Sequence, residues 1–156
     1  MQNKPKQLLV SAIKNGTVID HIQAGTATKL IHVLNLGNHK KIVTLGLNLP
    51  SKNMGLKDLI KIEDKELTKE EANRIAIFSP QASINIINNY EVTKKFDVTL
   101  PETVQSLIIC PNPKCITNNE NMDSNFKVQH INKQVKLQCN YCEKIFLQTD
   151  INDYRA

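Results

Sequence analysis

Four cysteines, Cys110, Cys115, Cys139 and Cys142, are the only ones in the chain, and they stand as C-x4-C and C-x2-C with 23 residues between the pairs. Two thiolates a few residues apart on a tight turn can occupy two corners of a tetrahedron. A second such turn, brought back by an antiparallel excursion, supplies the other two. The spacing therefore predicts one zinc ion held by Cys110, Cys115, Cys139 and Cys142. The other arrangements open to four cysteines are two disulfides or four unrelated buried thiols. A thioredoxin-like redox pair needs a strand leading into a helix at Cys139, whereas Glu143-Lys144-Ile145-Phe146-Leu147 reads as a strand. Four sulfur ligands leave no position for a water, so the metal is structural rather than catalytic. It completes a fold that about 55 residues seldom hold together without a metal, disulfides or a partner.

Because the cysteines are confined to the last third of 156 residues, two small domains are expected, 1–100 and 101–156, joined around Leu100-Pro101. The opening Met1-Gln2-Asn3-Lys4-Pro5-Lys6 has no apolar run behind its basic flank. No stretch approaches the roughly 20 apolar residues that cross a bilayer. With free thiols, this points to a cytoplasmic protein without a membrane partner. The net charge is +5, but residues 1–100 carry 14 Lys/Arg against 9 Asp/Glu while residues 101–156 carry 6 against 6, so the whole excess lies in the first part. A zinc ribbon that grips a phosphate backbone should be basic on its face. This near-neutral one weighs against the alternative of a nucleic-acid-binding zinc ribbon.

The first hundred residues alternate strand and helix signals. Leu8 to Ile13 is apolar and β-prone, Asn15-Gly16 is a turn signal, and Thr17 to Ile22 is extended again. From Thr26 to Leu36 apolar residues recur at helical spacing, with Thr26 as N-cap and Gly37 past the end. Lys41 to Leu49 alternates as a strand ending at Pro50, and Asp58 to Glu63 alternates again. Thr68-Lys69-Glu70-Glu71 matches a capping box that starts a second helix, which stops before Pro80. Ala82–Ile87 and Tyr90–Val98 are two more strands joined at Asn88-Asn89. The order strand, helix, strand, strand, helix, strand is that of a ferredoxin-like βαββαβ sandwich, with helices over one sheet face and the other left for a partner. The expected class is α+β, this sandwich being followed by a small all-β zinc-binding domain. In the latter, Phe126–Gln129, Val135–Gln138 and Ile145–Leu147 read as short strands and Asn118 to Ser124 as a solvated loop.

Enzyme signatures are lacking. His21, His32, His39 and His130 show no metal-ligating spacing, there is no glycine-rich phosphate loop, and Arg74 and Arg155 are the only arginines. Asp20 and His21, as neighbours on a strand, should point to opposite sides and so not form a general-base pair. A binding role needs no such contact: Asp20 can accept from sugar hydroxyls while His21 reaches a phosphate. Lys57 and Lys61 share a strand face by the two-residue period, as do Tyr90 and Val92.

With these residues laid out, the whole chain resembles the regulatory chains of aspartate carbamoyltransferase. The stretches that carry the resemblance are Gly16-Thr17-Val18-Ile19-Asp20-His21-Ile22, Leu45-Gly46-Leu47-Asn48-Leu49-Pro50-Ser51, Lys57-Asp58-Leu59-Ile60-Lys61-Ile62-Glu63, Pro80-Gln81-Ala82, Asn89-Tyr90-Glu91-Val92, and Cys110-Pro111-Asn112 with the remaining cysteines. The resemblance implies a noncatalytic subunit acting in pyrimidine biosynthesis. Its N-terminal allosteric domain would bind ATP as activator and CTP, with UTP, as inhibitor. Its zinc domain would dock on the catalytic chain. It also implies that regulatory chains pair as homodimers through their allosteric domains, three pairs bridging two catalytic trimers in an assembly of six chains of each kind. No nucleic-acid polymer is implied as partner. By the same resemblance the base lies near Val10, Ala12, Ile13 and Val18 on one side and Asn85, Ile87, Tyr90 and Val92 on the other. Asp20 and Lys61 hold the ribose and discriminate the base. His21, Lys57 and Lys95 meet the triphosphate, Lys95 being preferred to its neighbour Lys94.

Overall fold

The computed structural model describes residues 11–151. Among these residues nine strands and three α-helices follow in order: β1 (Gly16–Gln23), α1 (Ala27–Val33), β2 (Val43–Ser51), β3 (Gly55–Glu63), α2 (Lys69–Phe78), β4 (Ser83–Asn88), β5 (Glu91–Asp97), β6 (Thr103–Gln105), α3 (Ile116–Asn119), β7 (Asn125–Ile131), β8 (Gln134–Cys139) and β9 (Ile145–Leu147). β1 to β5 form one antiparallel sheet in the order β2-β3-β1-β4-β5, and β6 to β9 form another in chain order. The first four strands and two helices follow the expected βαββαβ path, with β5 added as a hairpin at one edge, and the second sheet is the all-β part. By backbone proximity, strands β1 to β5 fall in one compact unit. Residues 28–38, 68–80 and the chain from Val98 onward form the other.

Alternation in the central strands sorts residues onto two faces. One face is buried: Thr17, Ile19, Ile60, Ile62, Ile84 and Ile86 are each under 5% exposed. The opposite face is open, with Val18, Asp20, Lys61 and Asn85 only partly covered. Gly16, where β1 begins, has φ of 141°, and a Cβ there would collide with the Ile62 carbonyl oxygen, so β1 and β3 can approach there only without a side chain.

The Thr68 capping box is present: the Thr68 hydroxyl accepts from the Glu71 amide while the Glu71 carboxylate accepts from the Thr68 amide. α2 then buries Ala72, Ile75, Ala76, Ile77 and Phe78. Several expectations shift. Of the expected first strand, Leu8 to Val10 lie outside the described residues, and Ser11 to Ile13 form no regular element. The first helix ends at Val33, not Leu36, because Asn35 takes φ of 54°. Asparagine tolerates that left-handed stop, and a short 3-10 turn follows at Leu36–Asn38. β2 runs through Pro50 to Ser51, which an edge strand permits since proline's missing N–H need not pair outward. The segment from Asn118, expected as loop, begins inside the single turn of α3.

Candidate metal centre and open sheet face

The cysteines come from two stretches of the second unit, one between β6 and β7 and one around the β8–β9 turn. Cys110 lies in the loop after β6, Cys115 stands at the start of α3, Cys139 ends β8, and Cys142 sits in the turn between β8 and β9. All are free, and their Sγ atoms lie within 4.8 Å of one another. Cys110 to Cys142 is 3.8 Å and Cys115 to Cys139 is 3.7 Å. A tetrahedral site with metal–sulfur bonds of about 2.3 Å has edges of about 3.8 Å, so these two opposite edges already have the length such an ion requires, and the whole cluster is close enough to surround one. The strand at β9 is the feature that separates this site from a redox pair.

Burial pushes the Cys110 and Cys139 thiols up. In Cys142 burial acts the same way, but hydrogen bonds from the Lys144 amide, the Asn112 side chain and the neighbouring thiols outweigh it and bring the group down to about 7. A metal bound here must therefore displace protons from buried sulfurs, and its retention will fall with pH.

The second cluster lies on the open face of the first sheet. Directly paired residues in an antiparallel sheet share a face. Lys61, Val18, Asn85 and Lys95 pair in turn across β3, β1, β4 and β5 and so form one row. The neighbouring row contains Gly16, Ile87 and Val92. Lys94 pairs instead with Ile86 of the buried face, and its ammonium is 4.0 Å from Glu66. The register thus puts Lys95, not Lys94, on the open face.

Asp20 and His21 depart from strand alternation. The β1–β3 register shifts between Ile19 and Ile22, and His21 has φ of 56°. This bulge turns His21 toward Asp20's side, overturning the expectation that the two diverge. The His21 amide donates to Asp20 Oδ1 at 2.6 Å, and His21 Nδ1 lies 3.1 Å from Ser83 Oγ, on the residue paired with Asp20. Lys57 Nζ is 2.9 Å from Asp20 Oδ1. Burial raises the Asp20 carboxyl's pKa, but Lys57 and the His21 amide more than compensate and hold it below its ordinary value. Burial lowers Lys61, and Asp20 partly opposes that.

The segment before β1 crosses this face on two ties. Lys61 Nζ donates to the Ser11 carbonyl at 2.7 Å, and the Tyr90 amide donates to the Lys14 carbonyl at 2.9 Å. Ala12 and Ile13 lie between the ties, while Val10 is outside the described residues. Tyr90 itself sits in the two-residue β4–β5 turn with φ of 66°, after Asn89 at 50°, and is 66% exposed. Such turns favour Asn-Gly, so a tyrosine there is strained and gains little burial in return.

Three residues went unnoticed in the sequence. Ser83 is found only through the β1–β4 register. Asp58, fully buried on β3, accepts from the amides of Gly25, Ala27 and Asn48, and no local pattern marks it. Asn118, in the stretch expected as a solvated loop, donates to the Cys110 and Asn112 carbonyls. Among the described residues no helix is long and apolar enough to cross a membrane.

Comparison with known proteins bears on both clusters. The family described as aspartate carbamoyltransferase regulatory chain, allosteric domain, matches residues 8–99, and its metal binding domain matches residues 102–152. A regulatory chain of aspartate carbamoyltransferase from Vibrio cholerae is 44% identical over 154 residues, covering 99% of both chains. One from Photobacterium profundum is 48% identical over 143 residues, covering 92% of this chain and 93% of its own. One from Chromobacterium violaceum is 46% identical over 146 residues, with 94% and 96% covered. The chain belongs to the family of aspartate carbamoyltransferase regulatory chains, noncatalytic subunits with one allosteric and one metal-binding domain.

Proposed function

We propose that the open face of the first sheet is a nucleoside-triphosphate effector site, and that residues 1–100 act as the effector domain while 101–156, with zinc on the four cysteines, grip a catalytic chain of aspartate carbamoyltransferase. ATP is the activator and CTP, with UTP, the inhibitor, in a cytoplasmic assembly of six catalytic and six regulatory chains. The observation that carries this reading is the gathering of Asp20, His21, Lys57, Lys61 and Lys95 on one sheet face beside the exposed Tyr90 and Val92. Cations there offset a triphosphate's charge, and Asp20, kept ionised, accepts from ribose hydroxyls. The tyrosine ring and the aliphatic residues offer a base both stacking and apolar contact. Zinc fits the all-sulfur donor set and would serve as a structural tie.

Pairing of regulatory chains is assigned to the β2 edge. Ile42, Leu45 and Leu47 on and beside that strand are 65%, 41% and 48% exposed, more apolar surface than a solvated edge ordinarily shows. Allosteric bias then requires that ATP and CTP contact the two states of the assembly differently.

Isothermal titration of the zinc-loaded chain tests the site. ATP and CTP should each bind saturably, and Lys57→Met should weaken both by about 10- to 100-fold, the worth of one charge-assisted hydrogen bond. A folded, metal-loaded chain that takes up neither nucleotide ends this reading. Tyr90→Gly separates function from stability in the same assay. Glycine removes the left-handed strain, worth about 1–2 kcal/mol, and returns part of it through the looser unfolded chain. The variant should therefore melt no lower than the parent while nucleotide affinity falls about 10-fold with the lost stacking.

A further inference from the structure

The two halves of the metal site are closed in different ways. The C-x2-C turn closes with its own backbone: the Cys139 amide donates to the Lys144 carbonyl and the Glu143 amide to the Cys139 carbonyl. The C-x4-C loop is two residues longer; one backbone bond of its own, from the Cys115 amide to the Asn112 carbonyl, closes part of it, and for the rest it leans on the three residues that follow Ile116. Asn118 Nδ2 reaches the carbonyls of Cys110 and Asn112, both at 2.8 Å. Asn119 Nδ2 reaches those of Cys115 at 2.9 Å and Pro113 at 3.2 Å. Thr117 Oγ1 lies 3.1 Å from Cys115 Sγ, and its side chain is buried, at 5% exposure.

A buried hydroxyl needs a partner, and the partner here is a metal-ligating sulfur. When Cys115 is ionised the hydroxyl can only donate to it. Four thiolates around one divalent ion carry a formal charge of −2 in a buried setting, so a donor aimed at one of them relieves charge where water cannot. We propose that Thr117 is a positioning residue of the metal site: its hydroxyl donates to the Cys115 thiolate and fixes that sulfur's direction, on a loop that Asn118 and Asn119 hold in shape. No sulfur of the C-x2-C half has a hydroxyl donor among the described residues, and the Asn112 side chain of the longer loop reaches across to Cys142, so Thr117 is the side chain that fixes a sulfur of the longer loop itself.

The inference rests on zinc occupying the four-sulfur site, and the test separates the two. The full chain is compared as parent, Thr117→Val and Thr117→Ser, each first assayed for metal content. Zinc transfer to an excess of chelator should be about 10-fold faster in Thr117→Val, the lower end of what loss of such an outer partner costs. Thr117→Ser, which keeps the hydroxyl, should restore the parent rate. In cobalt-loaded samples the sulfur-to-cobalt charge-transfer band should move to longer wavelength in Thr117→Val, because an unbonded thiolate is the stronger donor, and return in Thr117→Ser. Parent-like release and an unmoved band in Thr117→Val overturn the proposal. So does faster release with an unmoved band that serine fails to correct, since that pattern belongs to packing alone. A parent chain that retains no metal refutes the zinc assignment itself, which is a different result.

Discussion

Replacing Cys139 by serine is expected to strip the chain of its metal and unravel β6 to β9 while β1 to β5 stay folded. Cys139 is fully buried at the end of β8, faces Phe126 across the ladder and places its sulfur 3.7 Å from that of Cys115. A serine hydroxyl is a poor ligand at neutral pH, so three thiols remain around an incomplete corner. Binding of a structural zinc ion contributes about 10–16 kcal/mol to folding, as much as an ordinary domain's entire stability. The apolar core of this part is small, centred on Val104, Ile108, Phe126 and Leu137. Amide hydrogen exchange read segment by segment is the measurement. Protection should vanish across 103–147 and persist in 16–23, 55–63 and 83–88. By the proposed role of the zinc domain, the variant should also fail to co-sediment with catalytic chains while ATP and CTP still bind. A metal-free variant with β6 to β9 protected as in the parent would show that packing, not the ion, holds the second sheet.

The metal centre was legible because its chemistry is local. Each pair of cysteines sits within one turn, and ligand spacing is written directly in residue numbers. The capping box at Thr68 and Glu71 was legible for the same reason, both partners lying in a single helical turn. The open sheet face was legible only in part. Alternation alone put Lys57 with Lys61. It also put Tyr90 with Val92, but β5 begins only at Glu91 and Tyr90 lies in the turn before it, so no strand period relates those two. The row that brings Lys61, Val18, Asn85 and Lys95 side by side needs three strand registers that no short window contains. Alternation even misled at Asp20 and His21, since a bulge inserts a residue with positive φ and turns both toward one side. Nothing in the composition of that stretch announces the bulge. Asn118 and Asn119 looked like solvated loop because they are polar, and they are exposed, yet their side chains serve backbone carbonyls of the metal loop. Polarity marks a residue as able to stay in water, not as idle.

Asp58→Ala is expected to lower the stability of the first sheet by about 4 kcal/mol, a fall of about 15 °C or more in its thermal midpoint. The carboxylate is fully buried, an arrangement that is costly unless every charge-bearing oxygen is bonded. Oδ2 accepts from the amides of Gly25 at 2.9 Å and Ala27 at 3.2 Å, and Oδ1 from that of Asn48 at 3.0 Å. Gly25 and Asn48 have φ of 90° and 57°, so their amides sit in irregular backbone that neither ladder nor helix satisfies. One side chain on β3 thus closes the turn after β1, the start of α1 and the bulge of β2. Alanine leaves the buried Ala27 amide and the part-buried amides of Gly25 and Asn48 without their acceptor, each bond to a charged group being worth about 1.5–3 kcal/mol, with part recovered as the two outer amides turn to water. Asp58→Asn should fall between: its carbonyl oxygen can serve Gly25 and Ala27, but its amide group then meets the Asn48 N–H donor to donor. The order parent, asparagine, alanine in the thermal midpoint distinguishes this clasp from a simple charge effect, under which asparagine and alanine would melt together. Lys57, one residue away on the opposite face, is bonded to Asp20, so the same stretch of β3 carries the proposed phosphate contact on one side and the clasp on the other. If the clasp also keeps Lys57 in register, Asp58→Asn should weaken ATP and CTP binding measured well below its melting point, although residue 58 never faces the nucleotide.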